Sequence, residues 1–287
     1  EPFQIRAGQF KQPFNLEELT SSNNIDFMER SYVNQITPAK KPGVMVHGVP
    51  TKGLTYAASV FQQSNWGEES QKEDGKSFGG RATLNFAEMA GWKDAVFHIG
   101  AAGFDSEYDI LPATSGNTAK ATETTTRGTL FNFRSGGRGL ATAYRAQIGG
   151  DAINTAAYGA PSNYTASVDN QAYGLELAAT YGPFKFQSEY TGQKFKAKNN
   201  GATANEVKAD VDAWYVEALW MLTGENYSDW YKNGAWGAIK PKSNFDLETG
   251  NGRGAWEIGL RYDAYDVSNV TLADGTGAAS SSRVQGS

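Results

Sequence analysis

Residues 254–264, Gly254-Ala-Trp-Glu-Ile-Gly-Leu-Arg-Tyr-Asp-Ala264, alternate strictly. Trp256, Ile258, Leu260, Tyr262 and Ala264 fall on one parity; Glu257, Gly259, Arg261 and Asp263 fall on the other. Successive side chains of a strand point to opposite faces, so this run has one apolar and one wet face. Phe184, Phe186, Ser188 and Tyr190 against Lys185, Gln187 and Glu189 repeat the pattern. So do Phe78, Gly80, Ala82, Leu84 and Phe86 against Gly79, Arg81 and Thr83, and Leu175, Leu177, Ala179 and Tyr181 against Glu176 and Thr180. The alternation predicts about eleven strands: 3–9, 43–49, 54–64, 77–87, 94–106, 124–134, 139–148, 171–181, 184–196, 211–223 and 254–267.

The connections decide between two all-β architectures. Turns such as Pro50-Thr51-Lys52-Gly53 and Gly182-Pro183 alternate with long polar loops near 65–76, 107–123, 149–170 and 197–210. One rim of short turns and one of long loops is the habit of transmembrane barrels. Only 224–253 breaks this rule, as either an elaborated turn or a further strand pair. The 287 residues hold 33 Gly, 15 Phe, 14 Tyr and 7 Trp; such a sequence, poor in Leu, Ile and Val, suits a lipid-facing wall better than a soluble core. The expected fold is therefore an antiparallel transmembrane β-barrel, with a soluble antiparallel β-sandwich binding carbohydrate as the alternative. The chain starts inside a strand and ends without a structural stop, and so reads as an interior piece (1–287) of a single barrel domain.

Several function classes drop out. Cysteine is absent and histidine is limited to His47 and His98, both within strand patterns, so a multi-histidine or thiolate metal site is not expected. The 26 basic and 31 acidic residues nearly cancel, which gives nucleic acid no basic field to bind. Glu17, Glu18 and Glu29 lack the context of a glycosidase pair, and neither an enzyme nor a cofactor is expected.

Residues 10–42 do not alternate. Their apolar members, from Phe14 to Met28, have short helical spacings, which predicts a structured loop packed against the barrel mouth or wall. The run Gly8–Ser31, GQFKQPFNLEELTSSNNIDFMERS, resembles the signature loop of the phosphate-selective porin O and P family of Gram-negative outer membranes. YGLELAATYGPFKFQSEY (173–190), WYVEALWMLTGE (214–225) and GAWEIGLRYD (254–263) are similar to that family in the same order. The resemblance implies a sixteen-stranded homotrimeric outer-membrane porin, of which this chain lacks the first and last strands. It would pass small inorganic anions, phosphate or polyphosphate above all, through a constriction formed by 10–42; a weakly selective general porin is the nearer alternative.

By position, the resemblance makes Arg6, Lys11, Glu18, Ser21 and Ser22 the anion-binding constriction. Glu18 stands where the most phosphate-specific members place lysine, and would repel phosphate unless Lys11 or another base pairs with it. The wet parity adds Arg81, Arg145, Lys185, Glu189, Glu257 and Arg261 as pore-lining, with Lys194, Glu176 and Asp263 also directed to the lumen. The parity of Arg127, Arg134 and Arg138 is ambiguous.

Overall fold

The computed structural model describes residues 1–63, 72–110, 131–134, 145–148, 166–199, 206–271 and 280–286. In chain order the strands are β1 (Gln4–Lys11), β2 (Lys40–Thr51), β3 (Leu54–Phe61), β4 (Lys72–Asn85), β5 (Ala95–Ile110), β6 (Phe131–Arg134) and β7 (Arg145–Ile148). They continue with β8 (Ala166–Tyr181), β9 (Phe184–Asn199), β10 (Glu206–Met221), β11 (Tyr231–Lys232), β12 (Ala235–Trp236), β13 (Glu257–Thr271) and β14 (Ser280–Gly286). Three short α-helices, α1 (Leu16–Leu19), α2 (Tyr32–Gln35) and α3 (Phe86–Ala90), and a 3-10 helix (Tyr227–Trp230) complete the described elements. Ten strands form one sheet in the order β1-β2-β3-β4-β5-β8-β9-β10-β13-β14, and the pairing is antiparallel throughout. The sheet is open, with β1 and β14 at its edges.

The strand list needs two corrections. The expected strands 124–134 and 139–148 do not enter the wall; their described parts, β6 and β7, pair only with each other. The reason is that β5 runs to Ile110 and pairs continuously with β8 from Ala95↔Tyr181 to Ile110↔Ala166, which leaves no free edge between them. The second correction is β14, a strand absent from the expected set.

The outward face carries a band of apolar side chains: in β13 and the residue before it, Trp256, Ile258 and Leu260 are 64%, 59% and 76% exposed. Phe184, Phe186, Trp220, Tyr173, Leu175 and Phe78 are exposed on the same face. Toward the long-loop rim β4, β5, β8 and β9 then turn charged on that face: Lys76, Asp105, Glu107, Asp169, Lys196 and Lys198 are all exposed. Lys194 lies there too, not in the lumen, because Gln193 and Phe195 occupy the inner parity. Aromatic pairs mark both borders, with Phe184–Trp220 stacked at 5.8 Å on the short-turn side. On the other border Trp214–Tyr262 approach to 5.3 Å and Tyr173–Tyr190 to 5.8 Å. Residues 256–264 at ~3.3 Å each, tilted by ~40°, give an apolar height of roughly 20–23 Å, close to that of known barrel walls. No described helix is long and apolar enough to cross a membrane. This outward, banded exposure is the reverse of a soluble sandwich, whose apolar parity would be buried.

Leu260 sits midway in the band. Leu260→Arg is expected to destabilise the folded wall by ~2–4 kcal/mol, the cost of arginine near a bilayer midplane. Urea unfolding of the full-length protein in liposomes measures it; an unchanged midpoint would mean that this face does not meet lipid.

Candidate functional site: an inner face covered by two in-folded segments

The inner face of the sheet is covered by residues 12–39, which enter from the long-loop side, and by residues around 224–237, the elaborated connection between β10 and β13. The first segment is held by carboxyl groups projecting from the strands. Glu189 of β9 accepts the backbone N–H of Leu16 (2.7 Å) and of Glu17 (2.8 Å), the exposed donors at the start of α1. The Tyr215 hydroxyl donates to the same carboxyl at 2.5 Å. Asp263 of β13 accepts the Tyr32 N–H of α2 with both oxygens, at 2.9 and 3.1 Å. Within the loop, Glu17 closes the hairpin between the helices by accepting from the Ser31 N–H (3.0 Å) and hydroxyl (2.6 Å). Burial pushes the Glu17 carboxyl above its ordinary pKa, against the pull of the Ser31 hydrogen bonds, Arg261 and Arg30.

Apolar packing follows these anchors. Leu16 is fully buried among Val96, Ala178, Leu219, Tyr227 and Trp236, and Phe14 meets Phe104 edge-on at 5.2 Å. Tyr32 meets Tyr265 edge-on at 4.9 Å. Asn15, at φ 61, turns the chain into α1 and donates to the Thr191 hydroxyl at 2.8 Å.

The second segment is clasped by a buried network on β4, β5 and β8. Arg81 binds Glu176 through two hydrogen bonds (2.8 and 2.6 Å) and donates to the Gly234 carbonyl at 2.9 Å. His98 bridges Glu176 (3.0 Å) to the Tyr231 hydroxyl (2.6 Å). Gly234 has φ +76, and a Cβ there would lie 2.9 Å from the Arg81 guanidinium, so the backbone turn and the close approach both call for glycine. The two segments touch: the Trp236 N–H donates to the Thr20 hydroxyl, and the Trp236 indole N–H to Gln187 at 2.6 Å.

The residues expected to line a pore therefore divide. Arg81, Lys185, Glu189, Glu257 and Arg261 all lie on the inner parity, but each holds an in-folded segment. Lys185, 3% exposed, pairs with Asp26 at 2.5 Å and lies 4.3 Å from the Trp236 ring. Glu257 accepts the Tyr227 hydroxyl at 2.6 Å. Arg261 donates to the Glu29 carbonyl at 2.9 Å, sits 3.6 Å from Glu17 and lies over the Phe27 ring. Arg145 belongs to β7, away from the main sheet; its side chain lies outside the described residues, as do Arg127, Arg138 and the side chain of Arg134.

What stays open is a cavity of about 590 Å³ between β1–β4, the first loop and the second segment. Its charged lining is Arg6, Lys11, Lys40, Arg81 and Glu1, with His47 beside Arg6. Arg81 is neutralised by Glu176, and Lys11 by Glu18 at 3.9 Å; the Lys11 ammonium also donates to the Glu18 and Thr20 carbonyls. Arg6 and Lys40 form no salt bridge among the described residues. Of the five expected constriction residues, Arg6 and Lys11 line this cavity. Glu18 is buried, accepting from the Asn34 amide, and Ser21 and Ser22 are exposed on the loop without lining it. Lys40 and His47 were missed as site residues; the Lys40-Lys41 pair closing the loop was the available signal, and strand parity alone did not rank it.

Known proteins bear on this arrangement. A profile of the family described as phosphate-selective porin O and P matches residues 1–281. The chain belongs to that family. It is also 27% identical over 282 residues to Porin O of Pseudomonas aeruginosa, an alignment covering 96% of this chain and 57% of that protein. The chain thus spans little more than half the length of this porin O and P relative.

Replacing Glu189 by Leu leaves the Leu16 and Glu17 N–H groups without an acceptor, at ~1–3 kcal/mol each. Amide exchange of residues 14–19 in the full-length protein is expected to quicken by about ten-fold or more, with Glu189→Gln intermediate. Unchanged exchange would show that apolar packing alone holds the loop.

Proposed function

We propose that this chain is the larger part of a trimeric outer-membrane barrel of a Gram-negative bacterium, through which small inorganic anions, phosphate-like ones above all, diffuse passively. Membership in the porin family and the apolar outer band support the membrane channel. The observation that carries anion preference is the cavity lined by Arg6 and Lys40, two cations without salt-bridge partners among the described residues, with His47 and the half-neutralised Lys11 beside them. Most inner carboxylates are spent on backbone N–H groups or bases beneath the loops, so they add little negative potential to the passage. Guanidinium and ammonium groups there replace part of an anion's hydration. In this reading the channel is one domain closed into sixteen strands by sequence outside this chain, residues 10–42 form its constriction, and no catalytic step or cofactor takes part.

Glu18 tunes the preference through Lys11. Because it holds that ammonium against the loop, and because Ser21 and Ser22 stand outside the cavity, phosphate selectivity weaker than that of a lysine-bearing relative is the reading the geometry favours.

In full-length protein reconstituted into planar bilayers, the reversal potential across a KCl gradient is expected to carry the sign of chloride permeation; a cation-selective channel would overturn the assignment. Glu18→Gln keeps an acceptor for Asn34 but removes the charge facing Lys11. It is expected to lower the phosphate concentration that half-blocks chloride current by about two- to five-fold, the range of one weak ion pair at 3.9 Å. An unchanged block would remove the Lys11–Glu18 pair from the filter.

A further inference from the structure

A second cavity, of about 180 Å³, lies where the outer face changes from apolar to charged, against the inner side of β5, β8 and β9. That is space for about six waters, or for one small organic solute. Its chemistry differs from that of the basic cavity. The polar lining is Gln35, Thr37, Gln63, Tyr108, Asn170 and Gln193, beside the Phe104 and Phe195 rings, and among the described residues it includes no carboxylate. The one cation, Lys41, donates to the Gln63 carbonyl at 2.8 Å.

The amides are oriented. Gln63 uses its NH2 group on Ser106 (2.8 Å), and Gln193 uses its own on the Ile36 carbonyl. Gln63 also donates to Ser77 at 3.3 Å, so it has only its carbonyl oxygen left to offer, and Gln193 has its oxygen and one N–H. Asn170, 6% exposed, adds an Oδ1 with no hydrogen-bond partner. A buried acceptor left so costs stability unless something donates to it. The Asn170 Oδ1 calls for a donor, with the Gln63 and Gln193 amides in the same lining, and Lys41 there argues against a cationic one. Hydroxyl groups answer this, and the flanking rings offer flat apolar faces to the C–H surface of a carbon chain.

We propose that this cavity binds the hydroxyl-bearing part of a small polyol or of its phosphate ester. The phosphate half of that statement rests on the anion-channel reading above; the polyol half does not. The two cavities flank the start of β2, where Lys40 lines the basic one and Lys41 the neutral one. A single polyol phosphate therefore meets cationic and amide groups at adjacent residues. Its walls β5, β8 and β9 lie several strands from either edge, while Lys41 comes from β2, the neighbour of edge strand β1.

Full-length protein in planar bilayers tests this with glycerol 3-phosphate, inorganic phosphate and neutral xylitol. Glycerol 3-phosphate is expected to half-block chloride current at about a five-fold lower concentration than inorganic phosphate, what one neutral hydrogen bond is worth. Asn170→Leu should bring that ratio to about one while leaving the inorganic phosphate block in place. Asn170→Ser, which keeps a short polar group and serves if the Leu variant does not assemble, should reduce the ratio part-way. Equal block by the two anions in the wild type, or a shift of both together in the variants, overturns the proposal. Xylitol separates the two readings: if neither anion blocks, xylitol-induced current noise that Asn170→Leu abolishes supports the polyol site and rejects only the anion channel. Absence of xylitol noise in the wild type rejects the site.

Discussion

The arrangement depends on carboxyl groups that stand on strands and accept hydrogen bonds from the backbone of a loop. A segment of some thirty residues laid over the face of a sheet brings peptide N–H groups out of water, and each must find an acceptor. Glu189 and Asp263 supply them at the two points where the segment turns into a short helix, which are also the points where several N–H groups are free at once. A neutral side chain would offer fewer acceptor sites, and a strand's own carbonyls are committed to its neighbours. Once these anchors form, Leu16, Phe14 and Tyr32 can bury against the wall.

The same economy explains the paradox of an acidic chain in an anion-porin family. The net charge is −5, and the inner face carries Glu176, Glu189, Glu217, Glu257 and Asp263. In the structure these groups are largely covered and engaged with backbone donors, hydroxyls or cations. What is left over on the β1–β2 side is Arg6, Lys40 and Glu1, which line the cavity without a salt bridge among the described residues. Counting charges on the wet parity therefore misjudges the cavity, because most of the buried charges there, Arg81 and Lys185 apart, are acidic.

The outer face obeys a simpler constraint. Along each strand of the wall's middle the apolar parity runs for about nine residues and then becomes charged at a shared level, with tyrosine and tryptophan at the borders. The strands continue as paired β-structure past that level, which is why β5, β8, β9 and β10 are longer than alternation predicts. Above the band the outward parity is charged while Tyr108, Val168, Phe195, Ala197 and Ala209 are buried on the inner one, so the hydrogen-bond ladder persists where the outward apolar pattern ends.

The sequence by itself determined the fold class, the parity of most strands, the loop at 10–42 as a packed element and the family. All of these rest on local periodicity or on contiguous motifs, and both survive without knowledge of neighbours. Tertiary structure alone decided that β6 and β7 leave the wall, because that depends on β5 meeting β8. It alone decided that Lys185, Glu189 and Arg261 act as clamps, that Ser21 and Ser22 face away from the cavity, and that Lys11 is tied to Glu18. Strand parity tells which side of a sheet a residue faces, but what covers that side comes from residues 100 or more positions away: Glu189 finds Leu16 and Asp263 finds Tyr32 only when the chain has folded. A site made by covering a surface is therefore not legible in the strand that supplies it.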